Sequence, residues 1–347
     1  MKIKFNRKTV SFIFFLLLGI VLFGWSVASS GIDNIIKVLK EFSLLKFLFL
    51  VAISFLNFYI YSLRWEIIVK SLFKEKKIPS SAYFWDRMAG YAISYVTPVA
   101  QLGGEPLRIM LIEEEGVPKR IGASSTIIDK ALEISTLIVF ISSGILVALL
   151  DERIDMAFKG FMAVSGAIML FLVFWFYYTS IKNIGFFSSI FRILHLKKFS
   201  RLEPLEKKLH EFEVEMNSFY KHNPKALWSL FVLSVFTILF LLAEHYLIAW
   251  FMGVRLTFLQ AFLSSTIPYI AYVLPVPGGL GVLEGGHASI FLLLGVNINA
   301  FAFVFIIRLR DFIFVILGLI RGWHKGIKIM QKEYKRDFEI ADQSDKN

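Results

Sequence analysis

Apolar residues gather into six long runs, at Thr9–Ser29, Leu44–Leu63, Ile121–Leu150, Ala157–Tyr178, Leu227–Met252 and Phe301–Ile320. A helix of about twenty residues crosses roughly 30 Å of hydrocarbon, so each run predicts a full membrane span. Two further apolar stretches are broken in the middle. Tyr83–Val96 and Glu105–Ile112 flank one break, and Phe258–Leu274 and Leu280–Leu294 flank the other, at Pro275–Gly279. Their arms are too short to cross comfortably, and each pair predicts a re-entrant helical hairpin. Only 181–225 is polar over any length. Within it Leu202, Leu205, Leu209, Phe212, Met216 and Phe219 recur at three/four spacing, which predicts an amphipathic helix over Glu203–Tyr220. Such a helix lies on the membrane surface or packs against the cytoplasmic face of the bundle.

The two breaks share a pattern. Tyr95-Val96-Thr97-Pro98-Val99 leads to Gly103-Gly104-Glu105, and Tyr272-Val273-Leu274-Pro275-Val276 leads to Gly278-Gly279 and Glu284. Proline removes a backbone donor and glycine permits positive φ, so both sites interrupt a helix. At membrane depth an interrupted helix is tolerated where protein buries it or where it lines a cavity. Paired broken segments in two halves of a transporter point to a binding site. Two ordinary polar loops of similar sequence are the plainer alternative.

Charge orients the chain. Arg64–Lys77 holds five basic residues against two acidic ones, and 181–225 holds nine against five. Both segments are expected on the cytoplasmic side, as are Met1–Lys8 and the basic residues after Ile320, whereas the acidic link Asp151–Asp155 is expected outside. Six spans and two hairpins satisfy this distribution with both termini cytoplasmic. They also give the two motif-bearing units (about 44–150 and 227–320) opposite orientation, the arrangement of an inverted repeat. The expected fold is therefore an all-α polytopic membrane protein with one transmembrane domain over 1–322, an amphipathic linker at 181–225 and a basic, then disordered, tail at 323–347.

Composition narrows the chemistry. Hydrophobic residues make up 56% of 347, and mean hydropathy is +0.65. That leaves no room for a separate soluble catalytic domain. The absence of cysteine removes disulfides, thiolate metal sites and cysteine nucleophiles. A formal charge of +11 is spread among spans, which fits cytoplasmic loops and anionic lipid better than nucleic acid. No cofactor or metal is expected: His287 has no histidine near it in sequence, and Gly278-Gly279-Leu280-Gly281 lacks the strand of a dinucleotide fold.

Ionisable residues inside the apolar runs cost about 2.5–3.5 kcal/mol each on insertion scales, so they face a cavity or pair with one another. Glu105 and Arg108, Asp129 with Lys130 and Glu133, Glu284 and His287, and Arg308 with Arg310 and Asp311 form four such sets. In the functional reading Arg108 and Arg308, or Arg310, receive an anionic group through the planar guanidinium fork. Glu105 and Glu284 share these sites. Gly103, Gly104, Gly278 and Gly279 present backbone N–H groups beside helix N-termini. Asp129, Glu133 and Asp311 supply coupling or counter-charge. In the structural reading the same charges neutralise one another and fix packing. His245, Glu66 and the Asp86-Arg87 pair are placed at the interface. No catalytic arrangement stands out, although a carboxylate base in a membrane-embedded transferase stays open for Glu105, Asp129 or Glu284.

Thr97-Pro98 with Gly103-Gly104-Glu105-Pro106-Leu107-Arg108, and Pro277-Gly278-Gly279-Leu280-Gly281-Val282-Leu283-Glu284, resemble the two signatures of the lysylphosphatidylglycerol synthase transmembrane (flippase-like) family. The similarity extends over Asp129-Lys130 and Arg308–Asp311 and covers residues 9–322. The resemblance implies a bacterial or archaeal inner-membrane protein related to the module that moves aminoacylated phospholipid between leaflets. Other members are tied to envelope lipids and lipid-linked glycosylation. The soluble aminoacyl-transfer domain of the full synthase has no counterpart in the sequence, so lysyl transfer is not expected. The expected activity is that of a flippase or transporter for an anionic-headgroup phospholipid or a polyprenyl-linked lipid. A lipid-modifying transferase, or a lipid-binding partner of an envelope enzyme, is the alternative. Oligomeric state is left open.

Overall fold

The computed structural model describes residues 42–97, 102–150, 155–194, 203–272, 274 and 276–344. The first expected span, Thr9–Ser29, lies outside them, as do Pro98, Pro275 and most of the acidic link at 151–155. The described residues are helical, with no strand. In chain order they form α1 (Leu44–Leu72), α2 (Ser80–Val96), α3 (Glu105–Glu114), α4 (Lys119–Leu149), α5 (Met156–Ile181), α6 (Phe186–Ile193), α7 (Glu203–His222), α8 (Pro224–Phe251), α9 (Phe258–Thr266) with a 3₁₀ extension over Ile267–Tyr272, α10 (Val282–Leu293) and α11 (Ala300–Ser344).

Proline and polar caps set the starts. Pro79 and Pro118 precede α2 and α4, and Pro106 and Pro224 occupy the first turns of α3 and α8, where a missing N–H loses no helical bond. Thr257 and Gln260 close a capping box on α9, Gln260 N donating to Thr257 Oγ1 at 3.2 Å and Thr257 N to Gln260 Oε1 at 2.9 Å. Among the described residues, four helices are long and apolar enough to cross a membrane: α1, α4, residues Lys159–Ile181 of α5, and α8. The apolar window of α4 is 44% buried against 17% for the other three, which makes α4 the central helix. The expected span Phe301–Ile320 is helical within α11, but Arg308, Arg310 and Asp311 interrupt its apolar stretch.

The tertiary arrangement is reciprocal. The first arm of the first broken element, α2, lies along α11, while the first arm of the second, α9 with its 3₁₀ extension, lies against α4. The long helices α1 and α8 pack on one another between them. A close crossing marks each exchange. A Cβ on Gly318 of α11 would overlap the Met88 carbonyl of α2, and one on Gly144 of α4 would overlap the Thr266 side chain of α9. Gly318→Leu is expected to force α11 off α2. Overpacking of this kind costs about 1–3 kcal/mol or more, read as a lowered Tm in detergent, whereas Gly322→Ala meets only ordinary contacts and should leave Tm unchanged.

The amphipathic helix α7 packs against the bundle. Met216 and Phe219 are buried in a core with Ile68, Ile128, Phe176 and Leu230, drawn from α1, α4, α5 and α8. Its polar residues hold the preceding turn. Glu213 accepts from the N–H groups of Phe187 (2.6 Å) and Ser188 (3.0 Å) at the start of α6. Asn217, one turn on, donates to the carbonyls of Ser180 (2.7 Å) and Ile181 (2.9 Å) at the end of α5. Groups that a helix end leaves orphaned are thereby satisfied from one face of α7.

Candidate functional site

A cavity of about 200 Å³ lies at the centre of the bundle, and both halves of the chain line it. Tyr61 of α1, Arg87 and Tyr91 of α2, Glu105 and Arg108 of α3, and Lys130 and Glu133 of α4 face Glu244 of α8, Tyr269 and Tyr272 of the 3₁₀ extension, and Arg310 and Asp311 of α11. Ionic groups occupy its two ends.

At one end the charges converge on Asp129, which is fully buried. Its Oδ2 accepts from Arg87 and, at 2.8 Å, from Arg108 Nη2, and its Oδ1 lies 3.6 Å from Arg64. Arg87 also reaches Glu133 at 2.6 Å, and Arg108 reaches Glu105 at 2.9 Å. Lys130 bridges Glu105 (3.1 Å) and Glu133 (2.8 Å). Four cations thus meet three carboxylates. Aromatic faces hold the guanidiniums: Arg108 lies 4.3 Å from the centre of the Trp65 ring, and Arg64 and Arg87 both lie against Tyr61. The weakly hydrated, planar guanidinium is the cation best suited to such a site.

The other end has the opposite balance. Arg310 pairs with Glu244 and, at 2.7 Å, with Asp311, and Ser54 donates to Glu244 at 2.5 Å. One cation meets two carboxylates there. Between the ends the walls are mostly aromatic and aliphatic.

Of the residues singled out from sequence, Arg108, Glu105, Glu133 and Asp311 line the cavity, and Asp129 lies directly behind them. Arg308 and Glu284 sit apart from the lining. Arg308 Nε binds Glu284 at 2.5 Å, and its Nη1 donates to the Gly278 carbonyl (3.0 Å) and to the Tyr95 hydroxyl (3.3 Å). Glu284 in turn accepts from Gly281 N at 2.8 Å, fixing the start of α10. This knot joins the break of the second element to the end of α2. Gly103, Gly104, Gly278 and Gly279 are also outside the lining. The Gly104 N–H donates to Ser94 Oγ at 2.9 Å, and its Cα presses so closely on Gly90 that any Cβ would overlap the Gly90 carbonyl. Gly278 has φ +54, and its ring-facing side abuts Tyr95. Close backbone approach and positive φ account for glycine at these two positions.

Glu66, Asp86 and Arg87, placed at the interface from sequence, are buried among protein side chains. Consecutive helical residues diverge by about 100°, so Asp86 and Arg87 do not neutralise one another. Asp86 turns to Arg321 (2.9 Å) and Lys325 (3.0 Å) of α11, whereas Arg87 turns to Asp129. Arg64, read as the first residue of a basic stretch, is fully buried beside Asp129. His245 is buried, and His287 does have a histidine neighbour: their Nε2 atoms lie 3.4 Å apart. Among the described residues no group of three or more histidine and acidic side chains is placed to hold a metal.

Comparison with known proteins fits this architecture. A family model described as the lysylphosphatidylglycerol synthase TM region matches residues 12–318. A UPF0104 membrane protein of Pyrococcus horikoshii is 24% identical over 306 residues, covering 84% of this chain and 88% of that protein. Another, from Methanocaldococcus jannaschii, is 29% identical over 149 residues, 40% of each chain. No solved structure matches. With the match running through both broken elements and every cavity-lining helix, the chain is a membrane protein that belongs to the lysylphosphatidylglycerol synthase transmembrane-region family.

Proposed function

We propose that this protein moves a lipid headgroup across the cell membrane through its central cavity. The observation that carries this reading is a chamber lined by both halves of the chain, with a cation-rich end at Arg87 and Arg108. At about 200 Å³ it is smaller than the roughly 300–1,000 Å³ pockets that enclose drug-sized ligands. It suits a phosphate-bearing headgroup, with the acyl or polyprenyl chains left in the bilayer. The lipid is an anionic-headgroup phospholipid or a polyprenyl-linked envelope lipid, whose phosphate faces Arg87 and Arg108. In this reading Thr9–Ser29 and Phe301–Ile320 complete six crossings, and both termini are cytoplasmic. The broken elements are re-entrant, and the units 44–150 and 227–320 form an inverted repeat. The reciprocal packing of α2 on α11 and of α9 on α4 supports that symmetry. Rocking of one half against the other would expose the cavity to each leaflet alternately.

Purified protein in proteoliposomes, supplied with fluorescent phospholipids of defined headgroup, tests the reading with a membrane-impermeant quencher. Headgroup-selective loss of protection above protein-free vesicles is expected. Folded protein that moves none of a panel of anionic and aminoacylated lipids would sink it, and lipid profiles of a deletion strain would then distinguish modification from binding.

A further inference from the structure

Two buried histidines stand outside the ion-pair clusters. His245 on α8 and His287 on α10 are 1% and 0% exposed. Each Nδ1 lies within hydrogen-bond distance of the carbonyl four residues earlier, Leu241 O at 2.9 Å and Leu283 O at 2.8 Å. A carbonyl only accepts, so both Nδ1 atoms carry hydrogen. In a neutral imidazole the other nitrogen is then a bare lone pair. The two bare positions are the Nε2 atoms, which face one another at 3.4 Å.

The ring geometry is that of a hydrogen bond and not of face stacking. The ring centres are 5.6 Å apart and the planes differ by 13°. The nitrogen–nitrogen distance plus the two ring radii accounts for this separation. The Nε2 atoms therefore lie close to the line of centres, and the rings are nearly coplanar. Two opposed lone pairs in a wall of Phe291, Phe303 and Tyr269 would repel without solvent to relieve them. One added proton turns the repulsion into an in-plane N–H···N bond.

We propose that His245 and His287 form a proton-binding site that holds one proton between their Nε2 atoms and clasps α8 to α10. The charged and titratable groups around it are Glu244 on α8, Glu284 on α10, Tyr269 on the 3₁₀ extension, and Arg308 and Arg310 on α11. Glu244 belongs to the cavity and Glu284 to the Arg308 knot, so the pair bridges the two. Loss of the proton opposes two lone pairs and favours separation of the second broken element from α8. That this separation drives headgroup movement rests on the function proposed above; the proton site itself does not.

Full-length protein labelled with nitrogen-15 histidine and titrated from about pH 9 to about pH 5 provides the test, a range that brackets ordinary imidazole titration. The six histidines are assigned with His245→Gln and His287→Gln. The expected result is uptake of one proton by the pair, with both rings shifting at a single midpoint. No uptake, or two independent protons, would overturn the proposal. In His287→Gln an amide N–H can donate to His245 Nε2 without a charge, so the His245 step should vanish in folded protein; its persistence at the wild-type midpoint also counts against the site. His245→Gln serves as the reciprocal test if the first variant does not fold. In vesicles, an imposed proton gradient should change the wild-type rate of headgroup movement several-fold and leave His287→Gln unaffected. Movement indifferent to the gradient removes the coupling. Absence of any lipid movement removes the proposed function instead and leaves the spectra to decide the proton site.

Discussion

Asp129→Ala is expected to yield little folded protein. The carboxylate is the shared partner of Arg64, Arg87 and Arg108, all buried, and its removal leaves three guanidiniums facing one another. Breaking a buried ion pair by deleting one partner costs about 3–5 kcal/mol. A typical domain has only about 5–15 kcal/mol of stability, and here Arg64 loses its carboxylate while Arg87 and Arg108 fall back on Glu133 and Glu105 alone. Asp129→Asn keeps the shape but not the charge and should fare little better. Adding Arg87→Met should restore part of the yield, because a cation is removed with the anion. Monodisperse yield and Tm in detergent give the readout. A wild-type Tm for Asp129→Ala would mean that the cluster does not hold α1 to α4 together.

Arg108→Gln is expected to spare the fold and slow headgroup movement. Asp129 retains Arg87 and Arg64, so no buried carboxylate is stranded, and Glu105 keeps Lys130. The cation-rich end falls from four cations to three against three carboxylates, and its surplus charge toward a phosphate disappears. Charge-assisted hydrogen bonds contribute about 1.5–3 kcal/mol, which converts to a rate loss of roughly tenfold to a hundredfold if the contact forms in the rate-limiting state. Arg308→Gln is the informative control. Arg308 lies outside the cavity lining, so its loss should lower Tm by loosening the Glu284 and Gly278 contacts while affecting selectivity among headgroups little. Equal loss of movement in both variants, with both folded, would assign the headgroup contact to the Arg308 knot.

Much of this arrangement is legible in the sequence. The breaks at Gly103-Gly104 and Gly278-Gly279, the amphipathic period of α7 and the buried charges of α4 and α11 follow from local rules: helices need about 3.6 residues per turn, prolines stop them, and charges at membrane depth need partners. Arg108 and Asp129 were identifiable as candidates for the same reason. Arg87 was not, because Asp86 beside it looks like a local counter-charge. Only the direction of each side chain around α2 separates the two. His245 and His287 are 42 residues apart on different helices, and no spacing rule reaches that far.

The sequence by itself determined an all-helical membrane protein, where its helices start and break, and which charges require partners. The tertiary structure decided the partners. Asp86 meets Arg321 across 235 residues, Arg308 meets Tyr95 across 213, and Arg310 meets Glu244 across 66. It also decided that Arg310 faces the cavity while Arg308, two positions away, turns to the knot. The physical reason is that helical periodicity specifies only the face a residue occupies. Which face meets which depends on close backbone crossings such as Gly318 on Met88 and Gly144 on Thr266, and these exist only once the two halves have packed.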